Sequence, residues 1–248
     1  GTAKVITATN VIAHIDDLHS VMKGIKLLLH PEGVFVMEAP YVIDLLDNNE
    51  FDSIYHEHLS YISIRPFVWL FEKYGLRVVD IKKQSVHGGS VRIYITHSSS
   101  KHSVHPRVVK FISEEQLKKL HRRSTYDEFA RRVKVIRRDL LDFLKRIKKE
   151  GRSIIGYGAS AKGNVLLNYC GISTDTINYI VDSTPYKQGK YTPGTHIHIF
   201  SEKKLQNDTP DYALLLSWNF VKEIIEKNKN YRERGGQFII TIPYLRIV

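Results

Sequence analysis

Apolar residues change their spacing several times along this chain, and each change marks an element. Lys4 to Thr9 (KVITAT) reads as a buried strand. Asp16 and Asp17 then supply N-terminal helix signals ahead of Leu18, Val21, Met22, Ile25 and Leu28, an apolar stripe at three- and four-residue spacing. Pro31 and Gly33 are expected to stop that helix and Val34 to Met37 to form the next strand. A strand, helix and strand of these lengths predict a βαβ unit, parallel and right-handed. A chain that opens inside such a sheet is expected to have further strands upstream.

After a loop rich in acidic and aromatic residues, from Ala39 to Tyr61, Phe67, Leu70 and Phe71 recur at helical spacing, with Gly75 as the C-terminal stop. Leu76 to Val86 and Ser90 to Thr96 are β-rich and joined by His87-Gly88-Gly89. Val91, Ile93 and Ile95 alternate with Arg92 and Tyr94, which predicts an antiparallel hairpin closing one edge of the sheet. Ser98 to Pro106 (SSSKHSVHP) has linker composition. Beyond it Tyr126, Phe129, Val133, Ile136, Leu140, Phe143 and Ile147 predict a long amphipathic helix ending at Gly151. A second alternation follows: strands at Ser153–Gly156, Ile177–Val181, Tyr212–Leu216 and Gln237–Ile242, and helices at Lys162–Cys170 and Val221–Asn228. That order predicts a second, Rossmann-like layer, so the fold class is α/β.

Composition narrows the function classes. The 248 residues carry 42% hydrophobic and 25% charged side chains, which is ordinary globular composition and argues against long disorder. No run approaches a bilayer span and no secretory signal opens the chain, so a cytoplasmic protein without membrane contact is expected. One cysteine, Cys170, leaves no internal disulfide and fits a reducing compartment; in its apolar helix it reads as a packed thiol rather than a nucleophile. The net charge of +11 favours an anionic partner. The basic face of the long helix (Arg131, Arg132, Lys134, Arg137, Arg138, Lys145, Lys148, Lys149) lacks accompanying aromatics. It reads as a solvated surface, with no nucleic acid expected.

Four constellations carry candidate chemistry. Ile155 to Asn164 (IGYGASAKGN) places Gly156, Gly158 and Gly163, with Ser160, Lys162 and Asn164, between a strand and a helix, where backbone N–H groups receive anions. The third glycine arrives two positions late for G-x-G-x-x-G, and Asp182 ends the following strand, where an acid would meet a ribose. A plain tight turn with a capped helix is the competing reading. Tyr55-His56-Glu57-His58 lies in a loop after a parallel strand, and His14 is expected on the same rim. A histidine or glutamate there can act as base and a tyrosine can donate to a developing oxyanion. Metal binding by these histidines is the lesser reading, because helical i, i+4 pairing is missing, and no metal ligand is assigned. His87 sits in a glycine turn that needs no function. Trp218 and Asn219 follow an apolar strand, where they suit a base or sugar contact or ordinary packing at the edge of the core.

Taken together, FDSIYHEHLSY, HGGSVRIY, GYGASAKGN, KQGKYTPGTHIHI, PDYALLLSWNF and RGGQFIITIP resemble the sugar C-methyltransferase family nearly end to end. The resemblance implies S-adenosylmethionine as methyl donor and a nucleoside-diphosphate-linked keto-deoxysugar as acceptor. It also implies three parts: an N-terminal zinc module, a class I methyltransferase domain and a C-terminal Rossmann-like domain. On these motifs residues 1–97 are the second half of the methyltransferase domain, 98–112 a linker, and 113–248 the long helix with the Rossmann-like domain. The zinc module, whose zinc would be structural, and the main cofactor loops fall outside the chain. The S-adenosylmethionine site is therefore incomplete here, and a missing segment or a separate chain is expected to complete it.

By analogy His58 is the base, with Glu57 as partner or competitor. Tyr55 and His14 orient the sugar or stabilise its enolate, and Asn10 contacts the cofactor. The second domain is expected to close over the nucleotide. Gly158, Ser160, Lys162 and Asn164 are the candidate contacts, with His87, Lys187, His196, Trp218 and Asn219 as further substrate contacts. The alternatives are a non-catalytic nucleotide-sugar-binding half of a split protein, and an NAD-dependent oxidoreductase built on the second α/β layer.

Overall fold

A computed structural model describes residues 1–248, the side chain of His87 excepted. The chain divides into two units: Gly1–Asn48 with His56–Glu128, and Asn49–Tyr55 with Phe129–Val248.

The first unit contains β1 (Ala3–Thr9), α1 (Leu18–Leu28), β2 (Leu29–Pro40), α2 (Val42–Asp47), α3 (Ile64–Lys73), β3 (Leu76–Gln84), β4 (Ser90–His97) and α4 (Arg107–Leu117). Asp17 caps α1 as its position predicts, its side chain accepting from the Ser20 amide. The helix does not stop in a loop at Pro31 and Gly33: it runs straight into β2 at Leu29. Pairing with β1 is irregular between Ala3 and Val5, and that irregularity lets Pro31 sit inside the strand.

The sheet order is β1-β2-β4-β3, with β1 and β2 parallel and both β4 pairings antiparallel. Val91, Ile93 and Ile95 are fully buried while Arg92 and Tyr94 are half-buried, as the alternation predicts. Met22, Phe35, Met37, Phe71, Ile93 and Ile95 form the centre of this core. The segment with linker composition leads at once into α4, which buries Val108 and Phe111. In α4, Glu115 is buried and accepts from the Ile64 and Arg65 amides at the start of α3 and from the Tyr41 hydroxyl.

The division between the units falls inside α5 (Arg123–Lys149), whose buried stripe is Phe129, Val133, Ile136, Leu140, Leu144 and Ile147. Phe143 is only half-buried and meets the edge of the Tyr212 ring instead. The second unit continues with β5 (Ile154–Tyr157), α6 (Ala161–Cys170), β6 (Ile180–Val181), β7 (Ile199–Phe200), α7 (Lys203–Asp208) and β8 (Tyr212–Leu215). It ends with α8 (Val221–Lys227), α9 (Lys229–Glu233), β9 (Gln237–Ile240) and β10 (Arg246–Ile247). Its sheet runs β10-β9-β8-β5-β6-β7, parallel except for β10. This is the expected Rossmann-like layer, with β7, α7, α9 and β10 added to the elements legible in the sequence.

Candidate functional site

Chemistry in the first unit gathers at the carboxyl end of β1. Asn10 ends the strand in the left-handed region (φ 53°), its amide donating to the Glu38 carbonyl at 2.9 Å. The Asn10 Oδ1 atom is buried without a hydrogen-bond partner among the described residues. Beside it Arg92 forks onto Glu38 Oε2 at 2.6 and 2.7 Å. A single helical turn, Ile12–His14, follows, and its Ala13 carbonyl accepts from the amides of Leu59 (2.8 Å) and Ser60 (3.2 Å). That stitch fixes the end of the His56-Glu57-His58 run against the turn carrying His14. The His14 and His58 rings consequently meet edge to face with centroids 5.0 Å apart, and Tyr61 stands across His58 at 6.3 Å. His14, His56 and Glu57 are exposed and His58 is half-buried. Among the described residues no group of three or more His, Cys, Asp or Glu side chains could hold a metal ion.

In the second unit the carboxyl ends of β5, β6 and β8 border a cavity of about 370 Å³ whose lining includes Tyr157, Ser160, Asp182, Lys187, Glu202 and Phe220. Crevices at strand ends are where open α/β sheets bind ligands. Asp182, just past the end of β6, is part of that cavity's lining. Its carboxylate accepts from the Thr184 amide at 2.7 Å and the Ala159 amide at 2.6 Å. Burial alone would raise its pKa, but those amides and Lys187 outweigh it and hold the group below the usual carboxylate range. Lys187 donates to the Ala159 carbonyl at 2.8 Å and lies 3.6 Å from Asp182. Tyr157 donates to Glu202, which is paired with Lys227; burial first, then that bond to Glu202, pushes the phenol well above its ordinary range.

The glycine-rich turn is built for close packing. Ser160 caps α6, its hydroxyl accepting from the Gly163 amide at 3.0 Å and donating to the Leu216 carbonyl at 2.8 Å. A Cβ on Gly163 would stand 2.4 Å from Leu216 Cβ, so the late third glycine is the point where α6 crosses the end of β8. A second cavity of about 310 Å³ opens beside the start of α6, lined by Ala161, Asn164, Lys187, Lys190, Tyr191 and others.

The remaining predicted residues fall as follows. Trp218 is not an open stacking platform: it is buried, donates its indole N–H to Asp52 Oδ2 at 2.6 Å and carries the Lys162 ammonium 4.7 Å from its ring centroid. Asn219 is half-buried in the same short turn. His196 occupies an exposed turn at φ 53°. The His87 side chain lies outside the described residues. Gly89 has a physical reason that the turn reading alone did not give: at φ 143°, a Cβ there would stand 2.5 Å from the Asp44 side chain. The sequence reading did not reach Asp52, Tyr157, Glu202 or Phe220, because each gains its meaning from a partner far away in the chain.

Both units are α/β layers with polar groups at the carboxyl ends of their strands, and known proteins give that layout a family. Residues 1–81 match the family model of a methyltransferase domain, and residues 85–243 match the C-methyltransferase C-terminal domain. The chain belongs to the C-methyltransferase family. It is 40% identical over 248 residues to C-methyltransferase NovU of Streptomyces niveus, a match that covers all of this chain and 59% of that protein. The chain thus spans less than two thirds of the length of this relative. No helix among the described residues is long and apolar enough to cross a membrane.

Proposed function

We propose that the chain carries the proton-removing loop and the nucleotide-sugar domain of a C-methyltransferase acting on a nucleoside-diphosphate-linked keto-deoxysugar. One observation carries the reading: the bonds from Leu59 and Ser60 to Ala13, which bring His58 to His14 at the carboxyl end of a parallel strand. In this reading His58 takes the proton from the carbon next to the ketone, with Glu57 as its partner or the competing base. The electron pair left behind moves onto the carbonyl oxygen, where Tyr55 and His14 donate hydrogen bonds. Removing such a proton requires both a nearby base and stabilisation of the oxygen that gains charge.

S-adenosylmethionine, when bound, supplies an electrophilic methyl group for the carbon so activated. Of this chain's residues Asn10 suits it, since its buried Oδ1 can accept a hydrogen bond that no group among the described residues supplies. The other contacts to the donor are proposed to come from the part of the protein that NovU has and this chain does not span. In the second unit the start of α6, with Ser160, Asn164 and Lys187, is proposed to receive the nucleotide. The helix N-terminus and two lysines (Lys187, Lys190) beside the second cavity support an anionic ligand there.

The test is transfer of labelled methyl from S-adenosylmethionine to a nucleoside-diphosphate keto-deoxysugar by the complete protein. A product labelled on carbon supports the reading. Tight sugar-nucleotide binding with no transfer leaves a non-catalytic binding protein, and hydride transfer with NAD makes the chain an oxidoreductase.

A further inference from the structure

The strap Asn49–Tyr55 belongs to the second unit, although the residues on either side of it belong to the first. Its bonds within the second unit are several. Asn49 donates to the Pro243 carbonyl at 3.0 Å and accepts from Arg132 Nε at 2.8 Å, and the Phe51 ring lies 5.3 Å from that of Tyr169. Phe51–Ser53 forms one tight helical turn, closed by the amides of Ser53 and Ile54. In that turn Asp52 is fully buried and bonds to the Trp218 indole, while Lys162 stands over the same ring.

An acid is a poor choice for stability alone at such a place. Burial pushes the Asp52 carboxyl up to about 6, against the opposing pull of Lys162 and the indole N–H. Buried ionisable groups of this kind contribute little net stability compared with apolar residues of similar volume, and fixing register is their best-attested use. Asp52 has a register to fix. Three residues on stands Tyr55, after which the chain continues directly into His56-Glu57-His58.

We propose that Asp52 is a positioning residue for Tyr55: its hydrogen bond to the Trp218 indole sets the register of the strap on the second unit and so the place from which Tyr55 presents its hydroxyl. The proposal rests on the role given to Tyr55 above. It acts through geometry, and a misplacement of about 1 Å at a reacting group costs on the order of a hundredfold in rate.

The test uses Asp52→Leu, Asp52→Asn, Trp218→Phe and the Asp52→Leu/Trp218→Phe double variant in the complete protein. Asp52→Leu and Trp218→Phe each remove the bond, and each is expected to lower kcat roughly 10- to 100-fold with KM for both substrates within about threefold. Asp52→Asn keeps an acceptor for the indole and retains kcat within about threefold, and the double variant is no slower than the slower single one. Wild-type kcat in Asp52→Leu, an Asp52→Asn variant as impaired as Asp52→Leu, or losses that multiply in the double variant would each overturn the proposal. Should Asp52→Leu fail to fold, Trp218→Phe against Asp52→Asn decides it by the same criteria. Amide hydrogen exchange separates this idea from the functional reading. Loss of the bond should speed exchange at Ile54 and Tyr55 about tenfold or more while Leu166 and Leu167 in α6 stay protected. Unchanged exchange at Ile54 and Tyr55 overturns the positioning claim whether or not the protein transfers methyl groups. A wild-type protein that transfers none, yet shows the exchange effect, overturns only the functional reading.

Discussion

His14 and His58 meet edge to face, ring centroids 5.0 Å apart at an interplanar angle of 61°. The backbone forces this meeting, because the Ala13 carbonyl takes both the Leu59 and the Ser60 amides. If His58 is the base, His58→Ala should lower kcat by roughly 10²- to 10⁴-fold, the usual contribution of a positioned general base. Affinity for the sugar nucleotide should change by no more than a few fold. Steady-state kinetics and direct binding to the variant check both halves, and near-normal turnover would remove His58 from that role.

Gly163 is a packing residue. With Leu216 Cβ 2.4 Å and the Leu216 carbonyl oxygen 2.9 Å from a Cβ placed there, Gly163→Ala must push α6 away from the end of β8. The expected cost is about 1–3 kcal/mol, typical of overpacking. It should appear as a lower urea midpoint for the second unit with an unchanged slope.

Glu115 ties three elements of the first unit together. Glu115→Ala would leave the Tyr41 hydroxyl and the first amides of α3 without their buried acceptor. A loss of about 3 kcal/mol follows from stranded donors at roughly 1–3 kcal/mol each. Glu115→Gln, which keeps one acceptor oxygen, should lose clearly less. Urea unfolding of the two variants measures the difference, and equal losses would contradict this account.

Asp52 gives the stability a definite pH signature. Its pKa of about 6 in the folded protein lies above the ordinary carboxyl value near 4. Between those values the folded state keeps a proton that the unfolded chain releases. The stability linked to this group is therefore fully present below about pH 4 and is lost as pH rises through about 6. Relative to Asp52→Asn, the wild type should lose about 3 kcal/mol in all, of which about 2 kcal/mol falls between about pH 4.5 and pH 7. Unfolding of both proteins at pH 4.5 and pH 7 checks it; a difference independent of pH would contradict the buried-carboxyl assignment.

How much of this was legible in the sequence depended on whether the cause was local. Helix α1 with its Asp17 cap, the alternation through β4 and helix α5 are produced by nearest-neighbour geometry and appear where the spacing predicts. The buried stripes are narrower than expected: α1 buries Met22 and Ile25 and leaves Leu28 exposed, and α5 leaves Tyr126 exposed and Phe143 half-buried. Strand β2 starts earlier than Pro31 and Gly33 suggest, because an irregular pairing with β1 absorbs the proline. Helix α4 was hidden by the polar run before it and by its own charged residues; its amphipathic face became meaningful only against β3 and α3.

The predicted strand at Ile177–Val181 pairs only through Ile180 and Val181, and β7 is equally short, below what periodicity can register. In the candidate site the His56-Glu57-His58 run stood out as a cluster, whereas Asp52 did not, since its partner Trp218 is 166 residues away. The same bond bears on Trp218, whose ring the sequence offered either as a ligand contact or as packing at the edge of the core, and which the fold buries.

The central claim is proton removal next to a ketone by the His58 loop, and exchange of that proton with solvent reports it most directly. The complete protein, incubated in D₂O with a nucleoside-diphosphate keto-deoxysugar, should place deuterium on the carbon beside the carbonyl. His58→Ala should still bind the sugar nucleotide and exchange at least a hundredfold more slowly, the lower end of the range expected for loss of a base, roughly 10²- to 10⁴-fold. Exchange in His58→Ala at the wild-type rate, or none in the wild type with sugar nucleotide bound, would contradict the account.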